Sequence, residues 1–152
     1  MRAHYLIIPL VTVVVAAGGG WLSRSGMEWY RGLRVPAWTP AGTVIGRVWA
    51  VLYAMAALSA ALALNAAAPE RYTMVAALYA VNAFLNLAWP YLFFVRRQIG
   101  SAALEALLLA ASVAVIQGNV LMFSPVAAVL LLPYLGWTLF AARLTYAICG
   151  LN

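Results

Sequence analysis

The sequence has no lysine, only three acidic residues, one cysteine (Cys149) and one histidine (His4) among its 152 residues. Each shortage excludes something. A single cysteine rules out a disulfide framework within the chain. One histidine and one cysteine are too few ligands for a protein-built zinc or iron site, so no metal and no resident cofactor is expected. Charged residues make up 8% of the chain, against about 25% in soluble domains. That leaves too little polar surface to cover a water-soluble globule. The nine basic residues, all arginine, give a net charge of +6. They sit at the ends of apolar segments rather than in one long run, which speaks for membrane topology and against nucleic-acid binding.

What the chain does have is apolar sequence, 67% of its residues, with a mean hydropathy of +0.97. Five apolar runs stand out, at about residues 5–22, 43–66, 72–95, 102–122 and 126–148. Each is close to the roughly 20 residues that carry a helix across about 30 Å of hydrocarbon. The runs lack the alternation of barrel strands, and only helices or closed barrels satisfy a backbone in lipid. The expected fold is an all-α integral membrane protein, a single domain over residues 1–152 forming a five-transmembrane-helix bundle. The links AAPER, RRQIG and FSP are short, so the spans they join lie side by side and antiparallel. The link between spans 1 and 2, about residues 23–42, is long. An alternative reading of the first run is a cleavable signal peptide, with Arg2 as its basic end and VAAGGGW as small residues for cleavage.

Five spans put the termini on opposite sides, and the arginines choose the side. Arg24, Arg31, Arg34, Arg96 and Arg97 fall on one side with Arg47 and Arg143 near it; Arg2 and Arg71 fall on the other. The long loop and the C-terminus are therefore expected in the cytoplasm, as in a microbial inner membrane. Glu105, Arg47 and Arg143 lie within spans near that same end. Unpaired charge in a membrane is expensive, so Glu105 is expected to pair with Arg143 or Arg47. Arginines snorkelling to lipid headgroups are the alternative.

Uncharged polar and aromatic residues cluster at the same depth. In span 3, Asn82, Asn86 and Trp89 follow i, i+4, i+7 and share a face, with Tyr79 on it too. Ala76, Ala80, Ala83 and Leu87 form another face, suited to close approach by a neighbour such as a second subunit of a homodimer. Trp49 and Tyr53 in span 2 are also i, i+4, and in span 5 Trp137 follows Pro133 and Tyr134. Asparagines can serve simply as interhelical glue, and tryptophans as an interfacial belt. The belt suits Trp21 and Trp29 but not Trp137, which is too deep. Aromatics beside asparagines, beneath the aromatic loop WYRGLRVPAWTP, suggest a mostly apolar ligand cavity with a few oriented polar groups. Tyr53, Asn82 and Tyr134 belong to it on this reading.

These residues resemble the TspO/MBR family of tryptophan-rich sensory and translocator proteins. The loop matches the family pattern at Trp29, Tyr30, Leu33, Pro36, Trp38 and Pro40. Trp49, Leu52 and Tyr53 follow, then Leu85, Asn86, Ala88, Trp89, Pro90, Phe93 and Phe94, then Arg97, Gln98 and Gly100. Pro133, Tyr134, Leu135, Trp137, Phe140 and Ala141 complete the series. The resemblance implies a five-helix bundle, often homodimeric, whose first loop covers a pocket at the cytosolic end. It implies ligands such as the tetrapyrrole protoporphyrin, sterols in eukaryotic members, and synthetic benzodiazepine- or isoquinoline-type compounds. Carried over by motif, Tyr30, Trp38, Trp49, Asn86, Trp89, Trp137 and Ala141 line or close the pocket, with Pro36 and Pro40 shaping the lid.

Three departures bear on this. Val35 stands in place of the usual lysine and Ala41 in place of a second proline, so the loop closes more loosely or is held by Arg34. Thr145 replaces an asparagine. No basic residue follows Tyr146, so the proposed sterol motif is missing. The expected function is a receptor or carrier for a flat apolar ligand, a porphyrin first, held by packing without axial ligation. Light-dependent tetrapyrrole breakdown through Trp49 and Trp137 is an alternative, since no hydrolytic array can be built around Glu105 without a histidine. Lipid or sterol transport is another.

Overall fold

A computed structural model describes residues 3–152; Arg2, used above for topology, lies outside them. The chain forms α1 (His4–Ser25), α2 (Met27–Arg31), α3 (Gly42–Ala66), α4 (Pro69–Pro90), α5 (Ile99–Leu121), α6 (Pro125–Leu130) and α7 (Leu132–Leu151). A π-helical turn, Tyr91–Val95, extends α4. Among the described residues there are five helical spans long and apolar enough to cross a membrane: α1, α3, α4 with its π turn, α5, and α6 with α7. α1 packs on α3 and α4, α3 on α6, α6 and α7 on α5, and α5 on α4. The spans therefore close a ring in the order 1, 2, 5, 4, 3.

Prolines set the irregularities. Pro69 and Pro125 open their helices at positions where a missing N–H costs nothing. This starts span 3 at Pro69 rather than at about residue 72. Pro90 lacks the N–H for Asn86 and its ring crowds that carbonyl. The helix re-registers, and Arg96 N–H bonds to Tyr91 O, five residues back. Arg97 then takes φ 55°, the left-handed conformation that ends a helix. Pro133 likewise has no N–H for Val129, and the last span breaks at Leu131.

Loop 1 differs from expectation. α1 runs on to Ser25, α2 follows after Gly26, and only residues 32–41 are non-helical. Gly26 has a packing reason: a Cβ there would lie 2.8 Å from Phe94 Cβ. The bare backbone lets the α1–α2 corner sit against the π turn. The small-residue face of α4 is also partly accounted for within the chain. A Cβ on Gly18 of α1 would lie 3.1 Å from Leu87 Cδ2, so at least that part meets α1 rather than a second subunit.

Candidate ligand site at the loop-1 end

The site is built on α4. Asn82 and Asn86, one turn apart, are 6% and 5% exposed. Asn86 Nδ2 donates to Asn82 O and to the Tyr134 hydroxyl, and that hydroxyl donates to Asn82 Oδ1 at 2.9 Å. Asn82 Nδ2 donates to Ser112 Oγ at 2.8 Å. This network ties α4 to α5 and α7, so the glue reading of both asparagines holds as far as it goes.

Aromatic rings surround the network in three groups. Trp49 contacts Tyr53 (5.4 Å between centroids) and meets Tyr134 edge-on at 6.2 Å. Trp137 packs on Phe140 at 5.2 Å, and Trp38 of the loop meets Phe140 edge-on at 5.7 Å. In the third group, Trp89 stacks on Phe93 at 5.0 Å, and Trp29 and Tyr30 pack against Phe93 from α2. Tyr30 thus holds the loop to the π turn, its ring contacts being with Phe93 and Phe94 rather than with Trp49 or Trp137. Burial pushes its hydroxyl above the ordinary tyrosine range, so it stays neutral there. Ala141 is half-buried, one residue from Phe140.

The loop is fastened in three ways. Thr39 N–H and hydroxyl both bond to Pro36 O, at 3.0 and 2.7 Å, which closes a turn between the two lid prolines, Pro36 and Pro40. The Asn152 side chain accepts from Arg34 N–H at 2.9 Å and donates to Arg34 O at 2.8 Å. Arg34 does hold the loop, then, but through its backbone. The Arg97 guanidinium lies 5.8 Å over the Trp29 ring and that of Arg143 5.6 Å over Trp38.

The expected pairing of Glu105 with Arg143 or Arg47 is not formed. Glu105 is 5% exposed and neither carboxyl oxygen has a partner. Arg143 is exposed between buried Ala142 and Leu144, which turns it outward to Trp38, and Arg47 is exposed as well. Thr145, standing for an asparagine, satisfies itself by donating to Ala141 O at 2.8 Å. Three further polar atoms of the cluster are buried and unpartnered: Asn86 Oδ1, Trp89 Nε1 and Trp137 Nε1. No group of three or more His, Cys, Asp or Glu that could hold a metal occurs among the described residues.

Two apolar grooves run along the outer flanks, one between α4 and α5 near Val81 and Leu108, the other between α5 and α6 near Gln117 and Val129. Neither includes the aromatic cluster. Sequence reasoning missed Phe93 and Phe140 as the rings that gather the tryptophans of loop 1, α4 and α7, although both stood in the motifs. It also missed Ser112, two turns from Glu105, and Asn152, which no local pattern marks.

Comparison with known proteins agrees with this architecture. The sequence pattern of the TspO/MBR family matches residues 7–151. The chain belongs to the TspO/MBR family. It is 34% identical over 147 residues to the membrane protein YtaB of Bacillus subtilis, covering 97% of this chain and 95% of that one. It is 35% identical to the human translocator protein over 133 residues, 86% of this chain and 79% of the relative. It is 34% identical to the tryptophan-rich protein TspO of Bacillus cereus over 126 residues, 82% and 80% of the two chains. With five membrane-spanning helices, this member of the family is an integral multi-pass membrane protein.

Proposed function

We propose that the chain is a membrane receptor or carrier for a flat apolar ligand, with a tetrapyrrole such as protoporphyrin as the leading case, bound among the aromatics beneath loop 1. One observation carries the reading. Five buried polar atoms on four side chains of one cluster (Asn86, Trp89, Trp137 and both oxygens of Glu105) find no partner in the chain. Buried polar groups are otherwise nearly always bonded, and in lipid no solvent is available to compensate. Rigid indole and phenol rings supply the stacking surface for a planar ligand, and arginines at this end suit carboxylates on its rim. The rings already touch one another, so entry requires loop 1 to lift. Seven arginines near this end support a cytoplasmic orientation for the loop.

Titration of the detergent-solubilised chain with protoporphyrin tests the reading. Saturable quenching of tryptophan fluorescence is expected, with affinity lost in a Trp49→Phe/Trp137→Phe double variant. Quenching that persists unchanged in that variant puts the ligand elsewhere.

A further inference from the structure

One pair of groups inside the cluster says more about the ligand. The bond from Asn82 to Ser112 fixes the register of α4 against the antiparallel α5. Trp89 stands seven residues after Asn82, and Glu105 seven residues before Ser112. Seven residues are two turns, roughly 10.5 Å along the axis and back to the same face. Trp89 and Glu105 therefore face each other at the loop-1 end. An indole N–H can only donate, and a carboxyl group can accept through its carbonyl oxygen in either protonation state. Nevertheless no bond joins them, because Trp89 Nε1 and both Glu105 oxygens are buried without partners. Asn86 Oδ1, on the same face of α4, is a further idle acceptor.

We propose that Glu105 and Trp89 form a recognition pair for a ligand edge that carries a hydrogen-bond donor beside an acceptor: a lactam, a secondary amide or a protonated carboxylic acid. The inference rests on the ligand-site reading above and names the polar chemistry of that ligand. The ligand donor bonds to Glu105, and its carbonyl accepts from the Trp89 indole. Such a group fills both gaps at once, whereas a pure hydrocarbon edge leaves a buried carboxyl unmatched, at high cost in an apolar setting. A neutral edge fits better than a cationic one, because Arg31, Arg34, Arg47, Arg96, Arg97 and Arg143 crowd this end and repel an approaching cation. Glu105 is thus the selectivity residue of the site, acting on which flat ligands bind rather than on whether the bundle forms.

Two probes isolate the donor. Phenanthridin-6(5H)-one is a flat tricyclic lactam, and its N-methyl derivative keeps the rings and the carbonyl but loses the N–H. Both are titrated calorimetrically into the full chain, with protoporphyrin as a check on the site itself. The wild type is expected to prefer the N–H lactam by about tenfold, as for one buried hydrogen bond. Glu105→Leu should abolish that preference by weakening the N–H lactam alone. Glu105→Gln, whose side-chain carbonyl accepts the same bond, should restore most of it. The unfolding temperature of Glu105→Leu should match or exceed wild type, since leucine replaces an unpaired buried carboxyl. Equal affinity for the two lactams in the wild type overturns the pair, and so does a Glu105→Gln chain indistinguishable from Glu105→Leu. A Glu105→Leu chain that loses both lactams along with its stability makes Glu105 structural and also overturns it. If neither lactam nor protoporphyrin binds at all, the ligand-site reading falls and the pair with it.

Discussion

At the end of the bundle away from loop 1, His4 is 3% exposed and both its ring nitrogens are engaged. Asn65 donates to Tyr5 OH at 2.7 Å, which leaves its carbonyl to accept from His4 Nε2–H at 3.1 Å. His4 Nδ1 then accepts from Tyr72 OH at 3.0 Å. Deeper in the same half, Ser59 bonds to both Tyr79 OH and Ala127 O at 2.7 Å. The loop-1 end is made of the same helices and the same residue types, yet Asn86 Oδ1, Trp89 Nε1, Trp137 Nε1 and both Glu105 oxygens are idle. A membrane penalises unsatisfied polar groups equally at either end. The far end behaves as a structural clamp that ties α1, α3 and α4 together. On the function proposed above, the loop-1 end faces a ligand where the far end faces only the chain itself.

Tyr134 stands where the two regimes meet, its hydroxyl shared by Asn82 and Asn86 and its ring 1% exposed. Tyr134→Ala should give the largest loss of stability, about 3–5 kcal/mol, because it opens a cavity between α4 and α7. Tyr134→Phe removes only the hydroxyl and should cost about 1 kcal/mol. Reversible unfolding in mixed micelles measures both. Equal losses for the two variants would mean that the hydrogen bonds, and not the packing, hold this border, and the division between the two ends would blur.

The five spans were legible because long apolar runs bounded by short polar links leave one solution in a bilayer. The Asn82–Asn86–Trp89 face was legible because the helical period puts such residues in line. Azimuth around a helix relative to other helices was not legible. Glu105 and Arg143 share a depth, which suggested a pair, but Arg143 turns outward to Trp38 and Glu105 inward. The five residues of α2 are too few to show a period, and the helix stands where Trp29 and Tyr30 pack on Phe93. The clip between Arg34 and Asn152 joins positions 118 residues apart, beyond any local pattern.

Substitution at the far end sharpens the contrast from the other side. His4→Leu removes both ring bonds of the clamp. Interhelical hydrogen bonds in membranes are each worth about 0.6 kcal/mol on average, so a loss of roughly 1 kcal/mol is expected. Protoporphyrin affinity should not change, since the clamp is at the opposite end from loop 1. Unfolding and tryptophan quenching on the same preparation give both numbers. An affinity loss in His4→Leu would show that the two ends are coupled and that the clamp is not merely structural.

The smallest effect concerns the loop itself. Beside the contacts of Trp38 with Phe140 and Arg143, loop 1 is attached to the last span by Asn152, which holds Arg34 N–H and C=O and also donates to Ile148 O at 2.8 Å. The two bonds to Arg34 are exposed, so water competes for them and the net worth of each is below about 1 kcal/mol. Asn152→Ala should therefore leave global stability unchanged. It should accelerate amide exchange at Arg34 by up to about fivefold, because that N–H loses its acceptor and the loop opens more often. The amide of Thr39 should keep its protection, since it is bonded within the loop to Pro36 O. Faster exchange at both positions would mean that the loop unravels as a whole when released. Faster exchange at Arg34 alone identifies Asn152 as the fastening of a lid that moves as one piece over the idle polar atoms beneath it.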